Sequence, residues 1–316
     1  MRLVALGTTQ FLASCVRGLN ESGCDIQELI SLPSHLLPDN SIDIKNFSID
    51  IGAQYFETEN INSESTKEHI RNLSPDIIFS SWPKIIDSEL LTIPTYGVIG
   101  THPTALPFNR GRHPLQWEIV LGMRESKLSF FWMDLGVDTG PVILQVPYRI
   151  EPVDTILTLS DRLNALAYSA TLSLGERLVL GDVPKGDARN HSISNTWRKR
   201  DRFDVLIDFR MNGDDILALI RSFADPYPCA SFILEICHFN VLNGEMVDSE
   251  FYVPLQYLEP GHVIKLDGYF LHIKSSNKVL KLRLKQNIEQ ILGSIKYIHP
   301  PGKYLAKYPN LATLFT

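Results

Sequence analysis

Cysteine is scarce, with four in 316 residues. Cys15, Cys24, Cys229 and Cys237 form no closely spaced pair. That excludes a dense disulfide framework and the short ligand spacings of a zinc site, so free thiols in a reducing compartment and no bound metal are expected. No run approaches ~18 uncharged apolar residues, so no helical membrane span is expected. The opening MRLVALGTTQ has no long apolar segment with a cleavage site. No signal peptide is read there, and the expected location is cytoplasmic. A basic excess is missing too. Net charge is −6, with 19 basic and 25 acidic groups in residues 1–205 and 11 of each in residues 206–316. Neither part carries the footprint of a nucleic-acid binder, so no nucleic-acid partner is expected. Internal repeats and low-complexity tracts are also lacking.

What is present is an ordinary globular composition, 44% hydrophobic and 21% charged, in a chain long enough for about two domains. RLVALGTT reads as a buried strand ending in a glycine turn. QFLASCVRGLNESG follows with Phe11, Leu12, Cys15, Val16 and Leu19 at helical spacing and Gly23 as a stop. DIQELISLP, DIIFSSW and YGVIGTH read as further strands, with the helix STKEHIRNLSP among them. Strand–helix alternation of this kind predicts right-handed crossovers and a parallel, Rossmann-like sheet with ligands beyond its carboxyl ends. LQWEIVLGM reads as helical, KLSFFWMDL and GPVILQVPYRI as strands, and the stretch from Asp154 to Gly181 as a long helix capped by Asp154. Residues 182–204 are polar and irregular and read as a linker or an interdomain strip.

Past residue 205 the texture changes. One short helix, DDILALIRS, precedes alternating runs with hairpin signals, Asp267-Gly268 in HVIKLDGYFLHIK and Asn243-Gly244 in FNVLNGEMV. The expected fold class is α/β: a Rossmann-like parallel-sheet domain over 1–205, then a small, mainly antiparallel, open-barrel-like β domain over 206–316.

Two loops carry candidate chemistry. GVIGTHPTALPFNRGRHP, from Gly97 to Pro114, sets His102 and His113 in a proline-stiffened frame. MDLGVDTGPVI places Asp134 and Asp138 between glycines and two strands. A histidine beside a carboxylate suits proton transfer near neutral pH. A lone histidine in a loop is more often structural, and the isolated DTG lacks the all-β surroundings of an aspartic protease.

The combination is more specific. HPTALPFNRGRHPLQWEIVLG followed by SFFWMDLGVDTGPVI resembles the folate-dependent formyltransferase family. Its pattern runs roughly Asn-x-His-[Gly/Pro]-Ser-x-Leu-Pro, then Arg-Gly, then Asp-x-Gly-x-Asp-[Ser/Thr]-Gly. The resemblance implies His102 and Asp138 as the catalytic pair and Thr104 as the hydroxyl following the histidine. It implies N10-formyltetrahydrofolate as formyl donor, with a pocket from Trp82 through Lys84, Ile85 and Ile86 and from Leu135, Gly136 and Val137. Thr104, Asn109, Arg110, Arg112 and His113 are the candidate acceptor-binding residues, and Trp197–Arg200 a further candidate for neutralising a diphosphate. Trp82 reads equally well as core. One departure stands out: the family's asparagine, an oxyanion donor, is Gly100 here. Candidate replacements are a backbone amide near Gly100, the Asn109 amide or His113.

RGRHPLQWEIVLG looks closer to the sugar-modifying branch, which implies a nucleotide-linked amino sugar as acceptor in surface-glycan synthesis. Methionyl-tRNA formyl transfer is the alternative. A formyl-folate hydrolase and a non-catalytic binding homologue are weaker ones. A homodimer is the assembly common among two-domain members.

Overall fold

The computed structural model describes residues 1–224, 227–248, 254–287 and 295–308. The chain divides into two compact units. The first takes residues 1–114, 124–150 and 158–198; the second takes 115–123, 151–157 and 199 onward.

The first unit runs β1 (Arg2–Leu6), α1 (Gln10–Glu21), β2 (Asp25–Ser31), α2 (Ile44–Ile51), β3 (Gln54–Glu57), α3 (Glu64–Leu73), β4 (Ile77–Ser80), α4 (Ser88–Leu91), β5 (Gly97–His102) and β6 (Arg110–Gly111). Then come α5 (Pro114–Val120), which leads into the second unit, β7 (Glu125–Trp132), β8 (Val142–Arg149), α6 (Ile156–Val179) and β9 (Thr196–Trp197). The seven-stranded sheet has the order β3-β2-β1-β4-β5-β7-β8. β1 to β5 pair in parallel, as the strand–helix alternation requires. β7 and β8 are antiparallel additions, joined to each other by the 133–141 loop and needing no crossover helix. Strand order reverses between β1 and β4, which opens a crevice past their carboxyl ends. There Gly7, at φ 150°, lets the chain approach the Ser81 carbonyl, which a Cβ would meet at 3.1 Å. Trp82 leaves from this point.

The apolar spacing of α1 buries Leu12, Cys15, Val16 and Leu19, and Thr9 caps its start by accepting from the Leu12 amide. A glycine inside a helix costs about 1 kcal/mol against alanine. Gly18 is kept because α6 passes against it: a Cβ there would lie 2.4 Å from both the Tyr168 carbonyl oxygen and the Thr171 hydroxyl. Gly175 of α6 reciprocates against Ser22, whose hydroxyl oxygen a Cβ would meet at 2.0 Å.

The second unit contains α7 (Gly213–Ser222), β10 (Ser231–Leu234), β11 (Cys237–Val247), β12 (Val263–Asp267), β13 (Phe270–Lys274), β14 (Val279–Leu284) and α8 (Pro301–Lys307). Its five strands form an antiparallel sheet in the order β10-β11-β14-β13-β12. The hairpin expected at Asp267-Gly268 is present, its two turn residues being Gly268, at φ 58°, and Tyr269. Asn243-Gly244 does not turn: it lies inside β11, beside a register shift. Gly244 serves close approach instead, since a Cβ would meet Leu282 at 2.6 Å and Leu217 of α7 at 3.0 Å. Ile216, Leu219, Phe232, Phe239, Leu271 and Leu282 centre this unit's core, and Val120 packs against it. Arg200 is buried here, its guanidinium 4.9 Å over Trp117 and 4.4 Å over Phe223, and so is held away from solvent phosphate.

Gly18→Ala gains about 1 kcal/mol of helix propensity, but overpacking against a backbone carbonyl costs typically 1–3 kcal/mol. The second term wins: urea denaturation is expected to show Gly18→Ala destabilised, whereas an unchanged or raised midpoint would show that the two helices have room to part.

Candidate active site

β5 alternates, so Gly100 and His102 face one side and Ile99 the other. His102 is 5% exposed. Its Nε2 donates to the Asn109 carbonyl at 2.9 Å, and its Nδ1 stands 3.5 Å from Asp138 Oδ2. A carbonyl oxygen only accepts, so Nε2 carries the proton and the neutral ring's lone pair is on Nδ1, facing Asp138. The 3.5 Å separation exceeds a formed N–H···O bond. Asp138 is itself in the left-handed region, φ 54°, and its Oδ2 accepts from the Gly111 amide at 3.0 Å. The two residues singled out in separate loops therefore meet, and the segment 109–111 touches both.

The frame around them is held mainly through loop carbonyls, which prolines leave intact. The Tyr148 hydroxyl donates to the Pro103 carbonyl at 2.7 Å and the Ser129 hydroxyl to the Thr104 carbonyl at 2.6 Å. The Gln145 amide donates to the Leu106 carbonyl at 3.0 Å. Thr104 is fully buried and its hydroxyl donates to the Phe108 carbonyl at 2.9 Å, so it braces the loop from inside. Ser129, Gln145 and Tyr148 were not singled out from sequence, although three polar groups in β7 and β8 aimed at one loop are a legible signal afterwards.

The Asp138 loop depends on two close approaches. A Cβ on Gly136 would lie 2.0 Å from the Thr139 hydroxyl, and one on Gly140 would lie 1.7 Å from the Trp132 carbonyl oxygen. Asp134 accepts from the Gly136 amide and from the Thr139 hydroxyl, which closes the turn. Asp134 therefore shapes the loop, and Asp138 alone reaches His102.

Arg110 is buried, and its guanidinium pairs with His191 Nδ1. Arg112 is exposed and donates to the Pro83 carbonyl at 3.1 Å, tying this loop to residues 82–86. Asn109 and His113 both adopt positive φ, 60° and 56°. The stretch read as a linker takes part in the site. β9 pairs in parallel with β6, and Asn195 bonds Asn109. The nearby Trp197–Arg200 run is a sequence candidate for the site, but Asn195 itself is not.

In the 82–86 loop, Trp82 packs with Met133 against the cluster of Leu6, Ile78, Ile86 and Leu90. Ile86 is core, whereas Ile85 is 78% exposed and Lys84 reaches the Glu59 carbonyl at 3.3 Å. The loop's far end is anchored by Asp87, which caps α4 and lies 2.8 Å from Lys67. The Lys67 ammonium holds the Asp87 carboxyl below the usual carboxylate range. In the 133–141 loop, Leu135 is 80% and Val137 56% exposed. The Trp82 indole N–H is buried without a partner. Among the described residues, no group of three or more His, Cys, Asp or Glu side chains is placed to hold a metal ion. No helix among them is long and apolar enough to cross a membrane.

At Gly100 the vacant side-chain position is filled by neighbours. A Cβ would lie 2.8 Å from Met133 Cγ and 3.0 Å from Phe131 Cζ. Met133 therefore occupies the direction in which an asparagine would project.

The doubly wound sheet and the buried histidine–aspartate pair define an α/β protein with a candidate proton-transfer site. Comparison narrows this. Residues 1–173 match the formyl transferase family and residues 201–292 match the formyl transferase C-terminal domain. The methionyl-tRNA formyltransferase of Caldanaerobacter subterraneus subsp. tengcongensis is 30% identical over 94% of this chain and 96% of its own. That of Marinobacter nauticus is 30% identical over 72% and 74%. Among solved structures, an N-formyltransferase from Helicobacter canadensis in complex with folinic acid and dTDP-3-aminofucose superposes with a TM-score of 0.66 at 14% identity, over 89% of this chain and 98% of that one. The chain belongs to the formyl transferase family, and it is a formyltransferase.

Gly100→Asn is expected to lower kcat at least tenfold, about 1.4 kcal/mol in barrier, because Met133 must leave its place. Adding Met133→Ala should recover part of the loss. Steady-state rates of the single and double variants decide this, and a faster single variant would show that the asparagine fits as the chain stands.

Proposed function

We propose that this chain moves the formyl group of N10-formyltetrahydrofolate onto a primary amine, with His102 as the base and Asp138 as its charge partner. The observation behind the reading is the His102 environment. Nε2 is committed to the Asn109 carbonyl, so the ring accepts a proton at Nδ1, beside Asp138. The donor supplies an activated formyl carbon. The acceptor nitrogen adds to that carbon and sheds a proton to Nδ1. The new imidazolium then lies between a carboxylate and a carbonyl, and the 3.5 Å gap to Asp138 closes into a charge-assisted bond. As the bond from the formyl carbon to the donor nitrogen breaks, the proton passes from His102 to that nitrogen.

The residues present suit a folate. Ile85, Leu135 and Val137 offer exposed apolar surface on two loops, Gly136 is exposed between the last two, and the Trp82 N–H is a buried donor with no partner. Lys84 lies on the same loop and Ile86 beneath it. Arg110, Arg112, Asn109 and His113 line the acceptor side in this reading, with Thr104 supporting them from below. Catalysis is assigned to residues 1–205, with 206–316 as the accessory domain.

Two acceptors each have an observation behind them. The relatives quoted above are methionyl-tRNA formyltransferases matched along most of their length, and they weigh toward the amine of an aminoacyl-tRNA. The acidic balance of residues 1–205 and the even balance of 206–316 weigh toward a small nucleotide-linked amino sugar, because tRNA phosphates call for lysine and arginine. The relatives are the stronger support. Purified protein given formyl-folate and either charged initiator tRNA or a panel of nucleotide-linked amino sugars separates the two by which amine is formylated. Formate release without any amine would indicate hydrolysis instead.

His102→Asn is expected to cut kcat by roughly 10²–10⁴, the range of general-base contributions, while folding and folate affinity stay near those of the wild type. Asp138→Asn should lower kcat and alter the pH–rate profile, since an amide does not favour the charged ring. Near-wild-type turnover in the first variant would overturn the mechanism, and an unchanged profile in the second would make Asp138 structural.

A further inference from the structure

The segment after α6 reaches the catalytic histidine without touching it. The Asn109 amide donates to Asn195 Oδ1 at 2.9 Å, and Asn195 Nδ2 donates to Asn109 Oδ1 at 3.0 Å. The Asn195 carbonyl accepts from the Arg110 amide at 3.2 Å. A backbone amide only donates, so the orientation of the Asn195 side chain is fixed, and one residue holds both faces of Asn109. Further along, β6 and β9 pair, and Gly111 lies so close that a Cβ would sit 2.2 Å from the Trp197 carbonyl oxygen.

This grip falls on a residue with φ 60°, in the left-handed region that asparagine tolerates better than most residues but does not prefer when free. Its conformation decides where the Asn109 carbonyl points, and that carbonyl is what holds the proton on Nε2 of His102. If the carbonyl turns away, the neutral ring has an alternative. The proton moves to Nδ1 and bonds Asp138, leaving Nε2 as the lone-pair atom on the wrong side. Asp138 and the Asn109 carbonyl thus compete for a single ring proton, and the winner sets which nitrogen is the base.

We propose that Asn195 is a positioning residue that selects the His102 tautomer: by clamping Asn109 it keeps the proton on Nε2 and the basic lone pair on Nδ1. The tautomer follows from the geometry alone, and the consequence for turnover rests on the formyl-transfer reading above.

The test is a long-range ¹H–¹⁵N correlation spectrum of ¹⁵N-histidine-labelled protein at a pH where the ring is neutral, with the His102 signals assigned by their loss in His102→Gln. The wild type should show the Nε2–H form. Asn195→Ala removes a side chain from an exposed position. It should shift His102 toward Nδ1–H and lower kcat at least tenfold, with KM for the formyl donor little changed. Asn195→Asp keeps the acceptor for the Asn109 amide and should retain much of the Nε2–H form. A His102 signal unchanged in Asn195→Ala overturns the proposal whatever the activity. A switched tautomer with unchanged kcat overturns the positioning role and the assignment of Nδ1 as the base, and leaves formyl transfer itself standing. Loss of kcat in His102→Asn but not in Asn195→Ala would do the same.

Discussion

The site depends on one hydrogen bond, from His102 Nε2 to the carbonyl of Asn109. It fixes a ring proton and thereby gives each neighbour its meaning. In the proposed mechanism Asp138 is the partner of a proton yet to arrive, and the segment 109–111 is a strut that touches both residues. Gly111 closes the strut by donating to the carboxylate that His102 faces. The surrounding hydroxyls of Tyr148 and Ser129, and the Gln145 amide, hold the preceding loop by its carbonyls. Removing the frame would leave the histidine and the aspartate in the sequence but not in one place.

Much of this was legible from residues. The parallel strands β1, β2, β4 and β5 follow from short buried runs ended by turns. His102 and Asp138 stood out through the motif that surrounds them. Three things did not show. β3 and α2 carry weak periodicity and are recovered through packing. β7 and β8 reverse the sheet direction, which apolar runs do not encode. Asn195 lies in a polar stretch, and its place follows only from β9 meeting β6. Asn243-Gly244 misled for a physical reason: the dipeptide favours a turn, but a tight sheet–helix approach needs the same missing side chain.

The glycine at position 100 has a steric counterpart in the same unit: Met133 and Phe131 fill the volume beside it. Met133 also packs with Trp82 against the cluster containing Ile86. The loops expected to hold the formyl donor and the strand that presents the histidine therefore share one side chain, and a change of volume at either is felt at the other.

The interleaving of the two units along the chain bears on how this protein can be divided. Residues 115–123 are drawn from the middle of the first unit's sequence, yet Val120 packs on the second unit's core and Trp117 lies under Arg200. A recombinant fragment ended near residue 205 would carry those side chains without the core that covers them. It would display an apolar strip a few residues from the 97–114 loop. For dissecting the enzyme, the separable pieces are thus not the two halves of the polypeptide, and a scheme that swaps the C-terminal part between relatives must carry residues 115–123 and 151–157 with it.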